Sequence, residues 1–422
     1  MLKRAITRWD LFFLMINSII GAGIFGLPAI IYNEAGVFSI PAILICAGLI
    51  FIIILNFSEV ASLFNKTGGP YLYASEAFGK FPGYLLGWLA LVSRIATFAA
   101  LINLMVDYLT YLDAIFSNQI VRIITTILFT GFLFLINYLG VKHSSRLNNF
   151  MAIAKLIPLI LFVIVGLFYI DVELLNFKQE IPSFDNFGRV IFVLVFAFTG
   201  FESTVINAGE MKNPGKDIPF ALMSATIFVA FFYTLIQVVC IGSFPMLGDS
   251  SKPIADAAHY LTGPAGGLLI TIGAVISIGG TLNAILLAGS RLPFAFSEAA
   301  QFPEVFSKEH PKTGVPYISL IVFTAVTILV SVSGTFVYAL SISVISKVVI
   351  FLIVCAALIK FRLSNKELEP AFKLKYGHAS AIIGILICIF LLFTSEISDF
   401  QDVILTMLIG LIIYLVYKFR TR

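Results

Sequence analysis

The chain has 422 residues, 27 of them basic and 23 acidic, for a net charge of +4. Charged residues make up 12 % and apolar ones 59 %, whereas soluble globular proteins average about 25 % charged. A chain this apolar, its charges bunched between long uncharged runs, excludes a cytosolic enzyme, a disordered regulator and a nucleic-acid binder. It reads as an all-α polytopic membrane protein.

A helix needs roughly 20 apolar residues to cross the ~30 Å hydrocarbon core. Twelve runs qualify, at about 11–33, 38–63, 82–111, 119–140, 148–170, 187–208, 217–243, 263–298, 315–334, 335–360, 377–394 and 401–419. They are continuous and rich in Leu, Ile and Phe rather than alternating, which excludes an outer-membrane barrel. The first run continues past residue 25 without a small-residue cleavage site, so it is expected to be a retained helix rather than a signal peptide. The runs leave no room for a separate soluble domain, and residues 1–422 are expected to form one unit.

Cys46, Cys240, Cys355 and Cys388 fall inside runs without metal-type spacing, and His143, His259, His310 and His378 form no ligand cluster. Neither metal nor cofactor is expected. The basic residues sort by side. One set of loops holds twenty of the 27, from Lys3 and Arg4 to Lys418, Arg420 and Arg422, against Arg122, Lys178, Arg189 and Lys252 opposite. The positive-inside rule then puts both termini in the cytoplasm. Arg94, Lys155 and Lys347 remain inside runs.

The first run contains Ile19-Ile20-Gly21-Ala22-Gly23-Ile24-Phe25-Gly26, and the sixth contains Phe196-Ala197-Phe198-Thr199-Gly200-Phe201-Glu202-Ser203. Mid-membrane glycines weaken a helix, and unwound backbone is tolerated there only beside a cavity or buried in protein. Close helix packing on Gly21, Gly23 and Gly200 is the plainer explanation of any one of them. The pairing argues further. Runs 1 and 6 are five apart and cross in opposite directions, the pattern of an inverted repeat with its binding site at the breaks. Half-helix N-termini suit a carboxylate and half-helix C-terminal carbonyls suit an ammonium. A free amino acid carries both on one carbon.

With these features the chain resembles the amino acid–polyamine–organocation (APC) transporter superfamily over essentially its whole length. The resemblance rests on Ile20-Gly21-Ala22-Gly23-Ile24-Phe25 and Phe198-Thr199-Gly200-Phe201-Glu202. It extends to Thr67-Gly68-Gly69-Pro70-Tyr71-Leu72-Tyr73 with Phe78-Gly79, to Glu210-Met211-Lys212-Asn213-Pro214 through Ile218-Pro219, and to Ser290-Arg291-Leu292-Pro293. It implies 12 transmembrane helices in a LeuT-type fold. That fold is a 5+5 inverted repeat (1–175 and 176–362) with discontinuous helices 1 and 6, followed by helices 11 and 12 (363–422). It also implies alternating access, with backbone at Ile20, Gly21, Ala22, Gly23, Ile24, Phe198, Thr199, Gly200 and Phe201 holding the substrate α-carboxylate and α-amino groups.

Ionisable residues at membrane depth are costly and therefore functional candidates. Glu202 matches the family position used in gating or proton coupling; a cap on the unwound segment is the alternative. Lys155, about 10 Å from the cytoplasmic end of the fifth run, looks like the family's fifth-helix lysine. That resemblance implies an ammonium standing where sodium-coupled relatives hold sodium, and a site for the coupled proton; a fixed cation locking spans 1, 5 and 8 is the alternative. Arg94 lies about 18 Å into the third run, where the family's helix lines the side-chain end of the pocket. Lys347 is similarly central in the tenth. An arginine there binds carboxylates bidentately, unless it is spent on Glu202 or on backbone carbonyls. The cationic surplus disfavours polyamines, lysine and arginine and favours a neutral amino acid or one with a second carboxylate. Glu59 and Glu76 are expected to pair with inner-loop lysines, Phe198 and Phe201 could close over substrate, and Trp88 is expected to pack.

The expected activity is secondary active, proton-coupled transport of a neutral or acidic amino acid across the cytoplasmic membrane. The implied partners are the amino acid, protons and the lipid bilayer, with no nucleic acid. An exchanger is the nearest alternative, and a transport-inactive nutrient sensor the alternative of another class. No metal cluster, Ser–His pairing or phosphate loop at membrane depth suggests an enzyme.

Overall fold

The computed structural model describes residues 8–64, 69–140, 155–177, 180–202, 213–364, 370–395 and 397–420. Among them the chain is helical throughout, without strands. In chain order the α-helices are α1 (Arg8–Ile19), α2 (Ala22–Ala35), α3 (Ser39–Ser62), α4 (Gly69–Phe78), α5 (Lys80–Leu109) and α6 (Gln119–Tyr138). Then come α7 (Leu156–Leu167), α8 (Phe184–Phe198), α9 (Pro214–Ser243), α10 (Pro253–Thr262) and α11 (Pro264–Gly289). The last are α12 (Arg291–Glu298), α13 (Tyr317–Ser333), α14 (Phe336–Leu363), α15 (Gly377–Phe393) and α16 (Ile397–Arg420).

Local chemistry sets many of the boundaries. Asn118 accepts from the Ile120 and Val121 amides at the start of α6, Ser183 from Asn186 at α8, and Thr335 from Tyr338 at α14. Each satisfies donors that a helix start leaves unpaired. Proline opens α9, α10 and α11, where its missing N–H costs nothing.

Among the described residues, seven stretches are long and apolar enough to cross a membrane: Gly23–Ser62, Lys80–Leu109, Gln119–Tyr138, Gly215–Ser243, Pro264–Glu298, Phe336–Leu363 and Phe400–Lys418. Three shorter apolar helices, Leu156–Leu167, Tyr317–Ser333 and Gly377–Phe393, accompany them. The first run is two helices, broken at Ile20–Gly21 as its glycines lead one to expect. Two differences from the sequence reading stand out. The eighth ends its regular helix at Gly289 rather than 298: Arg291 Nη1 donates to the Leu287 carbonyl at 2.7 Å, and Pro293 has no N–H with which to extend the ladder. Two segments expected as loops are the ten-residue helices α4 and α10. Residues 141–154, which open the fifth run, and 203–212, with Glu210-Met211-Lys212, lie outside the described residues.

The helices divide into a buried centre and a periphery. In α5, α9 and α14 about 70 % of the most apolar window is buried, against 17 % in α6 and 11 % in α16. α5 and α14 make the most extensive helix pair, and α3 packs on α9, α1 on α9 and α2 on α8. The outer helices turn Leu128, Leu329, Phe393 and Leu405 outward, an apolar surface suited to acyl chains rather than water.

Candidate functional site

The two helix breaks face each other. α1 ends at Ile19 and α2 starts at Ala22 with no side chain capping its N-terminus. α8 ends at Phe198, Thr199 is extended and Gly200 left-handed before helix resumes at Phe201–Glu202. Ser18 Oγ donates to the Gly200 carbonyl at 2.9 Å. The Tyr233 hydroxyl, on α9, lies 3.0 Å from the Ile19 carbonyl and 3.2 Å from that of Ala197. A single phenol therefore bridges carbonyls in the last turns of the two interrupted helices.

Glycine is needed where the breaks touch. Gly200 has φ +115°, a left-handed backbone, and a Cβ there would stand 2.3 Å from the Ser18 carbonyl oxygen. A Cβ on Gly23 would stand 2.8 Å from Cα of Ala197. These two glycines let the interrupted segments approach backbone to backbone.

A lysine reaches each break. Lys155 Nζ donates to the Ile20 carbonyl at 2.5 Å. Lys347 Nζ, on α14, donates to Thr199 Oγ1 at 2.7 Å, lies 3.7 Å from Glu202 Oε1 and sits over the Phe196 ring. Glu202 Oε2 in turn accepts from the Gly200 amide at 2.8 Å. Glu202 thus caps the resumed helix, and its charge is matched by Lys347.

Arg94 stands within electrostatic reach of Glu202 and Lys347 but makes no hydrogen bond or ion pair with them. Asp107, about 20 Å along its own helix, is taken by Arg122 at 2.7 Å. Chemically, the cluster offers uncapped amides at α2, the carbonyls of Ile19 and Ile20 held by Tyr233 and Lys155, one matched carboxylate, and one guanidinium without a carboxylate partner among the described residues. Such groups can hold a zwitterion by both ends.

The remaining candidates are placed as follows. Ile20, Gly21, Gly23 and Ile24 lie at the first break and are buried, and Ala22 starts α2. Phe198 and Phe201 are buried in packing: Phe201 stacks on Phe351 at 5.4 Å and meets Phe57 edge-on at 5.3 Å. Their backbone belongs to the break and their rings to the core. Trp88 packs, its indole donating to the Thr406 carbonyl at 2.7 Å. Glu59 does not pair with a lysine. Arg362 grips it through Nε and Nη2, both at 2.7 Å, and the Leu374 amide adds a third bond at 2.9 Å. Glu59 is buried, and a forked donor satisfies both carboxylate oxygens where an ammonium satisfies one. Glu76 is exposed.

Ser18 and Tyr233 were not singled out by the sequence, where Tyr233 is one of 15 tyrosines. A polar hydroxyl inside an apolar run was the available signal.

A family model described as amino acid permease matches residues 6–416. The serine/threonine exchanger SteT of Bacillus subtilis is 27 % identical over 94 % of this chain and 92 % of its own length. The branched-chain amino acid permease BcaP of the same organism is 26 % identical over 99 % and 93 %. An aspartate-proton symporter, also from Bacillus subtilis, is 26 % identical over 98 % and 83 %.

Proposed function

Because the chain belongs to the amino acid permease family of the APC superfamily, we propose that it is a secondary active, proton-coupled transporter of a neutral or acidic amino acid. The observation that carries the reading is the meeting of the two helix breaks, Ser18 Oγ on the Gly200 carbonyl at 2.9 Å and Tyr233 beside both segments. In this reading the α2 amides take the α-carboxylate, and carbonyls at the ends of α1 and α8 take the ammonium. Lys155 carries or gates the coupled proton, its contact with the Ile20 carbonyl breaking and re-forming as the first break opens.

The same reading assigns twelve spans in a LeuT-type arrangement, repeats 1–175 and 176–362, helices 11 and 12 in 363–422, and cytoplasmic termini. Rocking of one bundle against the other would open the site to each side in turn. A relative named an aspartate-proton symporter supports proton coupling. Another named a serine/threonine exchanger supports obligatory exchange as a second reading.

Reconstitution into liposomes separates these readings. Proton-coupled transport gives accumulation of labelled amino acid under an imposed inward pH gradient, abolished by a protonophore. Uptake that needs internal amino acid and ignores the gradient would establish exchange. No uptake of any of the twenty amino acids in either format would overturn the transport reading.

A further inference from the structure

The charges at the second break do not balance among the described residues. Lys347 is matched by Glu202 at 3.7 Å and by Thr199 at 2.7 Å. Arg94 lies in the same field, acting electrostatically on both, yet makes no hydrogen bond or ion pair among the described residues. The Arg94 side chain is half-buried.

The two cations share one level of the bundle. Thr97 Oγ1 and Ser343 Oγ are hydrogen-bonded at 2.6 Å, tying α5 to α14. Arg94 is three residues before Thr97, and Lys347 four after Ser343. On antiparallel helices rising about 1.5 Å per residue, these offsets run the same way and differ by about 1.5 Å. Arg94 and Lys347 therefore stand at nearly the same height on two packed helices, both in the field of Glu202. Lys155 serves the other break, on the Ile20 carbonyl.

We propose that Arg94 is the side-chain anchor of the substrate, that Lys347 frees it for this role by holding Glu202, and that the substrate is an amino acid with a second carboxylate. The proposal rests on the amino acid transport reading and narrows its substrate class. At the second break a neutral zwitterion would leave Arg94 and Lys347 against the single carboxylate of Glu202, and an unmatched buried charge is costly. A side-chain carboxylate brings the three groups and the substrate to neutrality. The planar guanidinium grips it through two parallel hydrogen bonds. Lysine, arginine and polyamines would instead add a third cation.

The test is competition in proteoliposomes, L-glutamate and L-aspartate against their isosteric amides L-glutamine and L-asparagine. The acids are expected to compete at least about tenfold better than the amides, because a site built for a charged group rejects a neutral analogue strongly. Arg94→Gln is expected to lower the acid-to-amide uptake ratio at least about tenfold, and an unchanged ratio would overturn the anchor role. Arg94→Lys, which keeps the charge and loses the fork, is expected to fall between. Lys347→Gln releases Glu202 toward Arg94 and is expected to lower the acid-to-amide ratio; an unchanged ratio would overturn its part. If wild-type protein accumulates neutral amino acids and the acids do not compete, the substrate class is wrong and transport stands. If none of the twenty amino acids is taken up, both fall. Should Arg94→Gln fail to fold, the wild-type competition alone decides.

Discussion

Ser18 and Gly200, 182 residues apart, are joined by a 2.9 Å hydrogen bond from the serine hydroxyl to the glycine carbonyl. The bond closes the gap between two interrupted helices, and the glycine backbone at φ +115° brings its carbonyl within reach. Any Cβ at 200 strikes the Ser18 carbonyl.

Gly200→Ala is therefore expected to abolish uptake and to lower stability by about 1–3 kcal/mol, the cost of a strained backbone. Gly21→Ala is the control. Its Cβ would lie 3.6 Å from Thr281 Oγ1, ordinary contact, and its φ is −119°. Uptake and melting temperature of the two variants in detergent should diverge; equal loss in both would refute the steric account.

Tyr233→Phe removes the hydroxyl shared by the Ile19 and Ala197 carbonyls and keeps the ring against Phe198. The expected cost is about 0.5–1.5 kcal/mol, with a fall in maximal uptake rate larger than any change in half-saturation. Differential scanning fluorimetry and initial-rate kinetics read the two effects. A variant indistinguishable from wild type in both would mean that the phenol merely packs.

Glu59 is 1 % exposed and gripped by the Arg362 fork. Removing one partner leaves a buried unpaired charge, so Arg362→Gln is expected to destabilise by about 3–5 kcal/mol. Glu59→Gln with Arg362→Gln together should cost much less than the sum of the single changes. Thermal unfolding of the four proteins completes the cycle, and additivity would argue against a paired role.

Lys155→Met takes away the ammonium on the Ile20 carbonyl. Under the proton-coupled reading, accumulation against a gradient disappears while equilibrium exchange of labelled for unlabelled substrate continues. Undiminished pH-driven uptake in this variant would remove Lys155 from the coupling step.

The sequence alone carried the class of the protein, the location of both breaks and the identity of the charged candidates. The physical reason is local. A long uncharged run declares its membrane character, a glycine within it declares weak helix, and a lysine, arginine or glutamate within it declares its own cost. What the run does not contain is the identity of the group on the facing helix, because side-chain contact depends on the rotation and height of helices hundreds of residues apart. Packing of α14 on α5 and α8 made Lys347, rather than Arg94, the partner of Glu202. The same kind of packing gave Glu59 to Arg362 instead of a lysine and turned the Phe201 ring into the core. It also set the Tyr233 hydroxyl between two carbonyls. The net charge of +4 followed from composition, but that Glu202 pairs with Lys347 and not with Arg94 was decided only when the helices came together.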